Sequence, residues 1–471
     1  METIRTGPLG RDKGKFMQLL EAVRGAARDE GRRKIVSVSL AAEKFIDPLA
    51  VIESIHETGQ RHFYMERPDR GEAIAGAERA VEAEFSGPER FSMARDFCRE
   101  VFENTIAVGQ LDLPLAGPKI FCAFTFEDDD DPESAFRPTT LFMPRWQVSA
   151  CEGAYVAAAN LLVEPDSDIE KEAARVLAAH EKFTSFDYSR VGTDTDFRFA
   201  FADDTSDDAD YAGKVGEALR IISAGECAKI VVARRRFFKA PGQISPFQTL
   251  ARARDRFPSC RAFSIAATDG TAFVGASPET LARVTGGIVE TEAIAGTAMR
   301  GKNPAEDAGI ASELLGSDKE MREHRAVADT IRERLLSLGV DPGPMQRPRI
   351  LRLSNVQHIR TPFSAKAADG VHILDIARAL HPTPATCGLP TSAAVGAIRR
   401  IEKLPRGMYS GVVGWCDERG EGELAVALRS GKINDREVVL FAGAGIVEGS
   451  DVRREIDETH MKMSALAGLL G

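Results

Sequence analysis

The stretch "RAFSIAATDGTAFVGAS", residues 261–277, sets two short apolar runs on either side of Thr-Asp-Gly. An Asp-Gly pair tolerates the positive backbone angles of a tight hairpin turn, so the two runs read as neighbouring antiparallel strands. Strand-like runs continue on both sides: "AKIVVARRRFF" before it, and "RILRLSNVQHIR", "YSGVVGWC", "GELAVALRS" and "EVVLFAG" after it. Between them "SDDADYAGKVGEALRIISAG" has an acidic start, apolar residues at helical spacing and a closing glycine. Residues 303–339 read as a helical pair or one broken helix, and a closing helix is expected at about 451–469. Hairpins with helices packed outside give an α+β architecture with a largely antiparallel sheet system.

Upstream, "KIVSVSL", "RHFYMER", "KIFCAFTF" and "GAYVAAANLLV" read as strands, followed by the helical "DIEKEAARVLAAHEKF". No chemical constellation stands out there. The aspartates of "FEDDDDPESAFRP" (126–138) read as a solvated hairpin tip, because like charges repel and Pro132 follows. The character of the chain changes near residue 205, dividing a scaffold half, 1–204, from a region rich in candidate chemistry, 205–471.

Over 471 residues, 43% are hydrophobic and 28% charged, the composition of a soluble globular protein. A net charge of -10 gives no footprint for nucleic acid. No run approaches a bilayer span, and the first twenty residues lack the apolar core of a signal peptide, so a cytoplasmic protein is expected. Seven scattered cysteines without a CxxC pair suggest neither a disulfide framework nor a zinc site, and read as reduced and mostly buried.

Candidate chemistry concentrates in a few places. "SDKEMREH" puts Glu320 and Glu323 on one helical face, and "REIDETHMK" does the same for Glu455 and Glu458, with Lys462 on the same stripe. Two helices each offering a carboxylate suit Mg²⁺, which takes oxygen ligands and keeps waters. By spacing alone, Glu458 and Lys462 also fit an ordinary surface pair. Lys229 opens an apolar strand, where partial burial makes a lysine a usable base, although a solvated strand-edge lysine has the same local sequence. Glu279, beside a Ser-Pro turn, fits either a general acid against apolar walls or an exposed turn residue. "AIAGTAMRG" and "FAGAGIVEG" are glycine-bearing strand ends that let a ligand approach the backbone; neither sits in a βαβ unit, which excludes a dinucleotide fingerprint.

Taken in order, "KIVVARR", "FVGASPETL", "AIAGT", "SDKEMREH", "VQHIRT", "LHPTPATCGLP", "RGMYSGVVGW", "VALRS" and "AGAGIVEGSDVRREIDETHMK" resemble the chorismate-utilising enzymes, a family of anthranilate, aminodeoxychorismate, isochorismate and salicylate synthases. The resemblance covers about 205 to 471 closely and the first 200 residues loosely. It implies two large packed antiparallel sheets flanked by helices, in α/β/β/α layers, with chorismate and Mg²⁺ in a cleft. It further implies Glu323 and Glu458 as the metal carboxylates, with Glu320 and Glu455 close by. Tyr409, Arg429, Gly443 and Lys462 would grip substrate carboxylates, and Gly296, Thr297 and His358 would lie around the ring.

Members that add ammonia carry glutamine where this chain has Lys229. A lysine there with a glutamate such as Glu279 resembles the members that add water, Lys229 as base and Glu279 as acid. The implied activity is Mg²⁺-dependent conversion of chorismate to isochorismate, feeding menaquinone or siderophore and salicylate synthesis. The alternatives are a salicylate synthase, which goes on to release pyruvate, and a non-catalytic chorismate-binding relative, whose mark would be loss of one of these groups. The resemblance implies no membrane or nucleic-acid partner, no glutaminase subunit, and a monomer or weak homodimer.

Overall fold

The hairpin at 261–277 forms as its sequence dictates. In a computed structural model describing residues 1–4, 13–189, 191, 205–353 and 356–470, Arg261 lies opposite Ser277 and Ala266 opposite Ala272. Gly270 takes φ +87° in the turn.

The first half contains β1 (Glu2–Ile4), α1 (Lys13–Glu30), β2 (Lys34–Ala42), α2 (Pro48–Ile55), β3 (His62–Arg67) and β4 (Glu72–Phe85). There follow α3 (Arg90–Glu103), β5 (Thr105–Gly109), β6 (Ile120–Phe124), β7 (Thr139–Cys151), β8 (Ala154–Val163) and α4 (Ile169–Ser185). The second half opens with α5 (Thr205–Ser223), β9 (Lys229–Lys239), α6 (Pro246–Arg256), β10 (Arg261–Ala266), β11 (Ala272–Ser277), β12 (Thr280–Thr285) and β13 (Ile288–Met299). Next are α7 (Pro304–Gly316), α8 (Asp318–Ser337), β14 (Arg349–Arg352), β15 (Val356–Lys366), α9 (Ile373–Leu380), β16 (Gly388–Leu389) and α10 (Thr391–Glu402). The chain closes with β17 (Val412–Cys416), β18 (Gly422–Val426), β19 (Ser430–Asn434), β20 (Glu437–Val447) and α11 (Val452–Ala467).

Hydrogen bonding traces two sheets. One runs β1-β5-β2-β8-β7-β4-β3-β10-β11-β19-β20-β9-β16, and the other β4-β7-β6-β17-β18-β12-β13-β15-β14. All pairs are antiparallel except β1 and β2 on β5. The sheets are not separate: β4 and β7 pair along their whole length, while β7 turns its first residues to β6 and its last to β8. A register shift between Arg79 and Val81 accompanies that change of neighbour, as a bulge bends a strand.

Phe63, Phe121, Phe142, Phe263 and Phe273 fill the space between the sheets, each fully or almost fully buried and each stabilising by about 2–3 kcal/mol. The outer faces are covered by α3, α8 and α9 on one side, and by α2, α6 and α11 on the other. The layers are therefore helix, sheet, sheet, helix.

The boundary expected after residue 204 lies outside the described residues. Both sheets cross it, through β3 on β10 and β6 on β17. The run 349–360, read as one strand, is two: β14 pairs back on β15, with Arg349 opposite Arg360. The aspartates of 128–131 sit in the loop joining β6 to β7, where Asp128 and Asp129 meet Arg399. All seven cysteines are free and buried.

Candidate active site

A cavity of about 180 Å³ opens where β9, β13, β15 and β20 meet the first turns of α8 and α11. Its walls include every residue singled out from sequence: Lys229, Glu279, Gly296, Thr297, Glu320, Glu323, His358, Tyr409, Arg429, Gly443, Glu455, Glu458 and Lys462.

Lys229, the first residue of β9, is 5% exposed, and its Nζ donates to Glu323 Oε1 at 2.7 Å. Diagonally across on β20, two residues from its register partner Val447, Gly445 makes room, since a Cβ there would lie 2.8 Å from Lys229 Cε. Glu279 follows the β11 strand and Pro278, and is also 5% exposed. Thr383 Oγ1 donates to its Oε1 at 3.2 Å. Burial, and then the nearby Glu292 carboxylate, push the Glu279 carboxyl up to about 7. Glu292 stays ionised despite its burial because Arg360 and the Thr280 amide hold its charge.

Four carboxylates form the opposite wall. Ser317 caps α8 and Asp451 caps α11, so Glu320 and Glu323, and Glu455 and Glu458, fall in the first two turns, where the helix dipole favours negative charge. Glu458 pairs with Lys462 at 2.6 Å. Burial alone would raise the Glu458 carboxyl, but the charge and hydrogen bond of Lys462, with the charges of Arg429 and Lys229, together outweigh it and hold it low. Burial and then Glu323 raise Glu320; burial and then Glu458 push Glu455 up to about 7. The expected pair of Glu458 and Lys462 thus exists, inside the cavity, where Lys462 Nζ also donates to Gly443 O at 2.8 Å.

A third wall gathers donors. Arg429 adopts φ +49°, and Tyr409 stacks on Phe441 at 5.4 Å. His358 is pushed down to about 3 by burial and then by Arg429. A guanidinium only donates, so at 3.5 Å Arg429 Nη2 faces an accepting Nε2. Nδ1 then carries the proton and donates to Thr297 Oγ1 at 3.0 Å. Gly296 sits in a bulge between Ala295 and Thr297 at φ +76°. A Cβ there would stand 3.0 Å from Glu320 Oε2.

Among the described residues no three His, Cys, Asp or Glu side chains converge as a ready-made metal cage. Magnesium does not need one: one or two carboxylates, waters and ligand oxygens suffice. An all-oxygen wall in which Glu323 raises Glu320 and Glu458 raises Glu455 fits a hard divalent cation.

Gly445, Thr383 and Glu292 were not picked out from sequence. Gly445 and Thr383 lie inside quoted motifs, but their roles depend on partners far along the chain. Glu292 carries no local signal.

With this geometry in place, comparison with known proteins defines the class. A family profile described as chorismate binding enzyme matches residues 18–471, and the chain belongs to that family. Its relatives include the salicylate biosynthesis isochorismate synthase of Pseudomonas aeruginosa, 31% identical over 467 residues, covering 98% of this chain and 95% of that protein. Isochorismate synthase MenF of Bacillus subtilis is 30% identical over 463 residues, covering 94% and 95%. Among solved structures, MenF, the menaquinone-specific isochorismate synthase of Escherichia coli, superposes with a TM-score of 0.75 at 24% identity, covering 96% of this chain and 100% of that one. Anthranilate synthase component I of Streptococcus pneumoniae gives 0.64 at 21%, covering 84% and 92%.

Proposed function

We propose that the chain is an isochorismate synthase, an isomerase that adds water at C2 of chorismate and expels the C4 hydroxyl. The observation that carries this reading is the presence of Lys229 and Glu279 in one cavity, with a carboxylate wall and a donor wall beside them. Mg²⁺, held by Glu323 and Glu458 with Glu320 and Glu455 near, would supply positive charge to stabilise negative charge on the ring carboxylate.

Arg429, with its planar pair of donors, grips the enolpyruvyl carboxylate together with Tyr409 and the backbone at Gly443. Lys462 meets a substrate carboxylate, and neutral His358, with Gly296 and Thr297, lines the ring. Lys229 accepts a proton from the attacking water, which requires its amine to be free of Glu323. Thr383 occupies Glu279 Oε1, so Oε2 bears the acidic proton. As the C2–O bond forms, the double bonds shift and the C4–O bond breaks, and Glu279 passes its proton to the departing oxygen, which leaves as water. The two groups need opposite protonation states, and the raised Glu279 carboxyl supports its half of that division.

Turnover in ¹⁸O-water tests this: isochorismate should carry the label on its C2 hydroxyl, and Lys229→Ala should lower kcat by about 10²-fold or more. Near-normal turnover of K229A would overturn the assignment. The names of the relative from Pseudomonas aeruginosa and of the Escherichia coli structure span salicylate and menaquinone synthesis, and the product suits either route. Among the described residues no helix is long and apolar enough to cross a membrane, and we place the reaction in the cytoplasm, run by the chain without a glutaminase subunit, as a monomer or weak homodimer.

A further inference from the structure

A second cavity, of about 550 Å³, lies in the first half and shares no residue with the one described above. Its floor follows from strand register. Ala75 faces Val148 and Ala77 faces Trp146 across β4 and β7, while Trp146 faces Ala159 and Val148 faces Ala157 across β7 and β8. Directly opposed residues share a face, so this patch of sheet presents four alanines where a helix-covered face ordinarily carries larger side chains. Residues of α2 and α4 form the roof, and the space between roof and floor is the cavity.

Into this space α4 turns His180, which is 5% exposed and has no hydrogen-bond partner at either ring nitrogen among the described residues. Burial keeps it neutral, pushed down to about 4. Buried polar groups are nearly always satisfied, and an imidazole with two orphaned nitrogens requires an explanation. At the rim, Glu78 accepts from Trp146 Nε1 at 2.9 Å and pairs with Arg175 at 3.0 Å. Arg175 in turn lies 5.7 Å over the Trp146 ring. That rim carboxylate is already paired, and the sheet floor carries no charge.

We infer that this cavity is a binding site for a neutral aromatic molecule of one or two rings bearing a single hydroxyl or N–H group, with the ring on the alanine floor beside Trp146 and the polar group on His180. An aromatic ring suits a space walled by alanine, tryptophan and phenylalanine, and one polar group matches one unpartnered imidazole.

Calorimetric titration of the full-length protein with 2-naphthol tests this. Saturable binding to one site is expected, unaffected by excess chorismate with Mg²⁺. His180→Leu should weaken it about tenfold, the loss of one hydrogen bond. Ala159→Leu should abolish it while leaving thermal stability and chorismate turnover unchanged or improved. Absence of saturable binding, displacement of 2-naphthol by chorismate, or equal binding by both variants would overturn the proposal. So would loss of stability in A159L, which would mean that the chain itself fills the space.

Discussion

Glu279 is where a single side chain links stability to chemistry. Its carboxyl is raised from 4.5 to about 7, so the proton is held below that pH and lost above it. As a proton donor it should give kcat an alkaline limb, with activity falling as pH rises through about 7. The sign for stability is the same, because ionising a buried acid costs free energy that a glutamine does not incur. Glu279→Gln should therefore be inactive, and its stability relative to the parent should grow as pH rises from about 4.5 to about 7 and level off above that, with a ceiling of about 3 kcal/mol, read by urea denaturation at several pH values. A flat stability difference would show that the acid is not buried as described. At this scale charge was legible from sequence, since glutamates three apart on a helix declare a shared face. The contact of Lys229 with Glu323 was not, because the two are 94 residues apart. The partnership of Glu279 with Glu292 was equally hidden, depending on how β12 and β13 fold together.

Two capped helices deliver the carboxylates. Two residues that favour N-caps, Ser450 and Asp451, precede α11; the cap is Asp451, accepting from the Arg454 amide at 3.0 Å, while Ser450 lines the cavity. Asp451→Ala should cost about 1 kcal/mol of stability. By loosening the turn that carries Glu455 and Glu458 it should also raise the Mg²⁺ concentration needed for half-maximal turnover, with kcat at saturating metal little changed. An unchanged metal requirement would separate the cap from the site. On other faces of α11, Asp457 is exposed and His460 meets Asp208 at 2.9 Å, a structural contact. Elements with strong local signals were readable, as Asp-Gly makes a hairpin whatever surrounds it. Strand β4 was not, because "EAIAGAERAVEAEF" is rich in alanine and glutamate, which favour helix, and only its pairing with β3 and β7 holds it extended. The halves of 349–360 fold back on each other for the same kind of reason, a long-range pairing that alternation alone does not specify.

Across the molecule the layered architecture came from family resemblance and not from periodicity, since sheets joined through β4 and β7 depend on pairings between distant segments. That joining has a consequence for the division at 204/205. A fragment of residues 205–471 would lose β3 from β10 and β6 from β17, exposing unpaired edges and the phenylalanines between the sheets. Expressed alone it should be insoluble or aggregate, and the whole chain should unfold in one transition in calorimetry; a soluble, folded fragment would show that the scaffold half is dispensable. The central claim, that this cavity adds water to chorismate and stops there, is tested most directly by chromatography of the products formed from chorismate and Mg²⁺ by the purified protein. Isochorismate, formed without ammonia and without stoichiometric pyruvate, is the expected result. Salicylate with pyruvate as the main products, or anthranilate when ammonia is supplied, would contradict it.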